Sequence, residues 1–162
     1  MLSSVLHNYG FGLEYLKMLL ADIPDDQMCD QPAGIVNHPA WTVGHLSMAA
    51  EFGVMLLGGE MELPAGWNGL YGRGSTPKHD RSLYGSKSEL LAAFEHHHGR
   101  ATAAAAAATP EMLAAETPDP DFRQVNPTLG DALVFILVTH TGTHLGQLSA
   151  WRRTKGLPGV LG

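Results

Sequence analysis

Histidines at positions 140 and 144 could do together what neither does alone. A helix turns roughly 100° per residue, so the two imidazoles of His-Thr-Gly-Thr-His stand about 40° apart, one turn above the other. Both can therefore point at one ion. Leu133, Ile136, Leu148 and Trp151 share their stripe at three- and four-residue steps, which makes it an apolar, inward face. Imidazoles in such a seam need partners for their ring nitrogens, and a divalent metal suits this geometry. His45 is the third member. In its own helical segment Trp41, Met48, Ala49, Phe52 and Leu56 lie within roughly 60° of it, a second apolar stripe with a histidine in the middle. Three imidazoles leave one position of a tetrahedral zinc open, as catalytic sites do and structural sites usually do not. Such an ion could lower the pKa of a bound water or thiol. Zinc or nickel suits the trio best, with iron and manganese as further candidates.

Other residues could line or support this centre. Gln147 lies near the azimuth of His144 and could orient a water or a substrate; a plain core hydrogen bond is the competing reading. Trp41 and Trp151 flank the centre, although bulky core packing explains each as well. The segment GWNGLYGRGSTP offers Tyr71, Arg73 and Ser75 on a loop, where Arg73 could clamp a carboxylate or simply be exposed. His96, His97 and His98 are consecutive, fan around a helix and read as a surface cluster. His7 and His79 read as solvated or structural, and His38 as a cap or entry residue of its helix, with Asn37 the other candidate for the cap. Glu51 falls about 240° from His45, off the seam. Thr141 follows His140 where an HExxH hydrolase carries its glutamate, and no G-x-S-x-G turn is present, so a hydrolytic centre lacks both base and serine nucleophile.

These residues need helices to hold them. Leu2, Val5, Leu6, Tyr9, Leu13, Leu16 and Leu20 predict a first helix from about 2 to 22, locally weakened by Gly10 and Gly12. The second begins at His38-Pro39 and runs to about Leu57, where Gly58-Gly59 stops it. Residues 59 to 86, rich in glycine and proline, read as an irregular crossover or lid. Ser86 and Glu89 form a capping box for a third helix that ends in an alanine run to Ala108, a composition that suits close approach to a neighbour. Thr109-Pro110 breaks it or starts one short further turn, and residues 117 to 127 form a second loop. The fourth helix runs from Thr128 to Arg153. The reading is one all-α domain spanning 1–162, a four-helix bundle whose long crossover leaves the second and third helices parallel.

Composition narrows the function. The chain has 162 residues, 44% apolar and 16% charged, as suits one globular domain. Its formal charge of −6, with no basic stripe, argues against a nucleic-acid partner. Cys29 alone permits neither an intrachain disulfide nor a thiolate metal cluster, so any metal is held by nitrogen and oxygen. The N-terminal stretch reads as an amphipathic helix, not a signal peptide, and no run is long enough to span a membrane. A cytoplasmic protein is expected.

NHPAWTVGHL around His45 and THTGTHLGQLSAWRRTKGLP around His140 and His144 resemble the DinB-like superfamily, which includes the YfiT-type proteins. The resemblance covers nearly the whole chain. It implies an up-down-down-up four-helix bundle, a three-histidine site for a divalent metal, and frequent homodimers. It also implies a class of transferases and isomerases that use low-molecular-weight thiols, with the metal activating the thiolate; it implies no DNA chemistry. The function expected is therefore a metal-dependent thiol S-transferase acting on a small electrophile. A non-catalytic metal-stabilised stress-response or binding module, and a metal-dependent hydrolase, stand as alternatives.

Overall fold

The computed structural model describes residues 2–161 and contains helices with no strand among them; the terminal residues of the expected 1–162 domain lie outside the described residues. Three long helices and a segmented final rod form the frame. Helix α1 spans Leu2–Leu20, α2 Pro39–Leu56, α3 the short Trp67–Tyr71 and α4 Lys87–Ala107. Helices α5 (Pro110–Ala114) and α6 (Pro120–Arg123) are short. A final rod consists of α7 (Leu129–Val134), a π-helical turn over Phe135–His140, and α8 (Thr141–Thr154). No helix among the described residues is long and apolar enough to cross a membrane.

Caps explain most boundaries. The His38 side chain accepts from Trp41 N–H at the start of α2, with Pro39 in the first turn where its missing donor costs nothing. Ser86 and Glu89 cap α4 reciprocally, and Thr128 and Asp131 do the same for α7; each such cap contributes about 1 kcal/mol. Three sequence expectations need correction. The 59–86 connection is not wholly irregular, since α3 and a 3-10 turn at Arg81–Leu83 lie inside it. The 117–127 loop contains α6. The last helix is not uniform, because its middle turn is π-helical.

Two apolar clusters order the long elements. Leu16, Leu19 and Leu20 from the end of α1 meet Val43 and Leu46 from the start of α2, Leu90 and Phe94 from the start of α4, and Leu148 and Trp151 of α8. At the other end Tyr9 meets Ala50, Val54, Ala101, Ala105, Ala132, Leu133 and Ile136. Residues sort this way when α2 and α4 run in one direction and α1 and the final rod run against them. Ala101 and Ala105 are buried, so the alanine run does bring α4 close to its neighbours. A Cβ at Gly12 would sit 3.2 Å from Thr141 Cγ2, so the glycine that weakens α1 also lets it approach the final rod. Arg152 locks the lower end: buried at 1% exposure, it donates to the Leu19 carbonyl at 2.7 Å, to Asp22 and to the Pro158 carbonyl at 3.1 Å.

Candidate metal centre

His45 stands on α2, one turn past Trp41. Its Nδ1 lies 2.7 Å from the Tyr71 carbonyl oxygen, which can only accept, so Nδ1 carries the proton and Nε2 is bare. Gly44 makes this contact attainable: a Cβ there would overlap the Tyr71 ring, so only glycine leaves room for that ring against α2. The Trp41 indole stacks on the His45 ring at 4.4 Å and 11°, and its N–H donates to Ser75 Oγ at 2.9 Å. Residues 71 to 75 are thus stitched to the face of α2 that carries His45.

His144 is fixed from the other side. Its Nδ1 donates to Gln147 Oε1 at 3.0 Å, and that oxygen also accepts from Asn37 Nδ2 at 3.0 Å. Its Nε2 is therefore bare as well. His140 completes the trio with Nε2 at 3.1 Å from His45 Nε2 and 3.2 Å from His144 Nε2. Its Nδ1 is buried without a hydrogen-bond partner. The π turn helps to place it. The i→i+5 ladder of this turn leaves the Phe135 and His140 rings 6.1 Å apart and tilted, and Thr141 Oγ1 donates to the Ile136 carbonyl at 3.1 Å, five residues back.

The three rings fit a cation. His140 can donate one proton to one neighbour, which leaves its other contact as lone pair against lone pair. The ligand atoms all lie within 4.8 Å of one another. A tetrahedral ion with bonds of about 2.0–2.1 Å holds its nitrogens about 3.3 Å apart, close to the two short separations seen here. These three histidines could hold a metal ion. Burial drives His140 down to about 3, assisted by repulsion from His144 and His45, and drives His144 down to about 4. Burial lowers His45 too, against the Tyr71 carbonyl that favours its charged form. All three are neutral at pH 7, the state that ligates.

The other residues marked in the sequence fall in different places. Gln147 touches His144 directly, but Trp151 is fully buried in the core, its N–H on the Asp30 carbonyl at 2.7 Å. Tyr71 serves the centre through its backbone; its phenol is buried and pushed up to about 12 by that burial. Arg73 is exposed on the loop. Asn37 and Ser75 act as supports, and the signal for Asn37 was its place one residue before the capping His38.

One expectation is overturned. His97 and His98 are buried at 5% and 7% exposure, leaving only His96 of the three on the surface. Helix α4 packs against both α1 and α2, so two of its faces are inside. His98 donates to the Tyr9 carbonyl at 3.0 Å and stacks on the Tyr9 ring, and His97 Nδ1 donates to Glu51 Oε1 at 2.8 Å. Glu51 is off the His45 seam but completely buried. Burial alone would push its carboxyl up; Arg100, the Glu62 N–H and His97 outweigh that and hold it below the usual range. Its oxygens are committed, so it is no free base.

A family model described as the DinB superfamily matches residues 11–148, a span that contains all three converging histidines. No curated protein matches the chain.

Proposed function

The chain belongs to the DinB superfamily, and on that premise we propose that it is a metal-dependent thiol S-transferase acting on a small electrophile. His45, His140 and His144 are the ligands of a divalent ion, zinc or nickel, in this reading. One observation carries it: two of the three Nε2 atoms are stripped of their protons by partners on the far side of the ring, Tyr71 and Gln147, and all three face one another. A bound ion there would lower the pKa of a coordinated thiol, so that no protein carboxylate is needed as base. That accords with the absence of a free acid at the centre. In the transfer the thiol proton passes to solvent, sulfur bonds to the electrophilic carbon, and the leaving group departs with its electron pair. Trp41 covers one face of His45 and keeps water from it. We further propose a homodimer with a small-molecule thiol as co-substrate and no nucleic-acid partner, the last in keeping with a formal charge of −6.

Metal analysis of protein purified without nickel resin, beside His144→Ala, tests the ligand set. About one equivalent in the wild type and little in the variant is expected; equal metal in both removes His144. A panel of low-molecular-weight thiols against alkyl and epoxide electrophiles then tests the reaction. The second reading, a non-catalytic module with the ion as staple, has its own support: the ion would tie α2 to the final rod, nearly a hundred residues later. A large fall in melting temperature on chelation, with no turnover across the panel, selects it.

A further inference from the structure

Three side chains on one face of α2 hold the loop that crosses it. His38, Trp41 and His45 stand at steps of three and four, and each donates outward: His45 Nδ1 to the Tyr71 carbonyl at 2.7 Å, Trp41 Nε1 to Ser75 Oγ at 2.9 Å, and His38 Nε2 to the Lys78 carbonyl at 2.9 Å. The segment 71–78 therefore lies along the helix and runs against it, with its first rung on one of the three converging histidines. Between the first two rungs the chain makes a tight turn. Ser75 N–H donates to the Gly72 carbonyl at 3.0 Å and Gly74 takes φ +85°, which leaves Arg73 and Gly74 at the tip. The Arg73 Cα is two peptide steps of about 3.8 Å from each anchored residue, and its side chain adds a similar reach, so the guanidinium can come to the open side of the trio. Such a side exists, since His45 and His140 are only half-buried.

Charge decides what such an arginine can bind. Arg81, Arg100, Arg123 and Arg152 each pair with a carboxylate. Among the described residues Arg73 and Arg153 do not, and Arg153 sits in the last turn of α8, away from the trio. The three-histidine group contains no carboxylate, and Asp80, the acid that follows the strap, is tied to the Ser82 N–H and hydroxyl. A divalent ion on three neutral imidazoles keeps its full double charge, and an unpaired guanidinium beside it adds one more. Nothing in the chain offsets either. We propose that Arg73 binds the carboxylate of a small anionic ligand whose other end sits on the ion at His45, His140 and His144. The inference rests on the reading of that trio as a thiol-activating metal centre and adds a substrate class to it: the co-substrate is a thiol that carries a carboxylate. A guanidinium grips that group with two parallel N–H donors, so Arg73 sets specificity and the ladder sets its place.

Two ligand pairs test it in the cobalt(II)-loaded protein. The first, 3-mercaptopropionate and 3-mercaptopropionamide, is titrated by the sulfur-to-cobalt charge-transfer band and differs in the carboxylate alone. The acid should bind at least about five-fold tighter at low ionic strength and lose that advantage in molar salt. Arg73→Gln should bring the acid down to the affinity of the amide. Arg73→Lys should keep part of the difference, because a point charge then replaces a two-pronged donor. The second pair, imidazole-1-propionate and its amide, repeats the comparison through the d–d bands with a head that is not a thiol. An acid preference that is absent from both pairs, or that survives Arg73→Gln, overturns the proposal; survival would mean that the carboxylate chelates the ion directly. If neither thiol gives the band while the imidazole pair still discriminates through Arg73, the thiol reading falls and the anion site stands. A protein that takes up no cobalt sinks the metal centre and this proposal with it.

Discussion

At the scale of single residues, two of the three converging histidines are oriented by the atoms behind them. Gln147 Oε1 serves two donors, His144 Nδ1 and Asn37 Nδ2, and so fixes both the ring angle and the proton. Gln147→Leu should weaken zinc binding 10- to 100-fold in a competition titration, as loss of such a support usually does. Gln147→Glu should keep the affinity; equal affinity for Leu and Glu variants would show the contact to be incidental. His38 gives a pH effect of another kind. Burial holds it down at about 4, against the ordinary 6.5, while Nδ1 accepts from Trp41 N–H and Nε2 donates to the Lys78 carbonyl at 2.9 Å. A histidine whose folded pKa is depressed adds stability above the unfolded value and loses it as pH falls through the folded one. Metal-free protein should therefore lose stability between about pH 6.5 and 4, and His38→Asn, which can still cap α2, should flatten part of that slope in urea titrations. The shared direction of His140 and His144 was legible from azimuth alone, because spacing along one helix fixes direction. The Tyr71 carbonyl was not, since a backbone atom delivered by a loop leaves no mark in side-chain pattern.

At the scale of elements, the long frame could be read from apolar periodicity and capping residues, since both are local properties. What escaped were features set by a neighbour. His97 and His98 look like surface residues until α1 and α2 are both packed against α4, and Glu51 is polar in sequence yet sealed by Arg100 and His97. The π turn is of this sort too, for an extra residue in a turn changes no propensity. It makes a sharp prediction. Deleting Val138 would remove the residue that the wide turn absorbs, so the rod should continue as a plain α-helix with α8 keeping its azimuth to α7. Helical content and metal binding should both change little; lost binding would mean that the wide turn itself sets the histidine geometry. Gly44→Ala tests the other wall. Its methyl would meet the Tyr71 ring at 2.3 Å, and a ring packed between α2 and Tyr84 cannot yield by a rotamer change. A cost of about 1–3 kcal/mol in stability is expected, together with weaker metal binding as the Tyr71 carbonyl leaves His45.

At the scale of the whole molecule, the three histidines lie where two distant stretches of chain must meet. Residues 39–56 and 129–154 are separated in the chain by α3 to α6, yet their imidazoles come within hydrogen-bond range of one another. The apo protein must therefore hold three nitrogens together with lone pairs opposed, at some cost to the fold, and an ion that binds only the folded state both relieves that cost and adds its own free energy. At a free metal concentration one hundred times its Kd, the added stability is about 2.7 kcal/mol. For a chain of this size each kcal/mol moves Tm by roughly 2–4 °C, so chelation should lower the melting temperature by roughly 5–11 °C. His45→Ala should melt at a temperature that chelator no longer changes, because the α2 side of the cross-link is gone. If wild type and variant respond alike to chelator, the ion does not bridge α2 to the final rod.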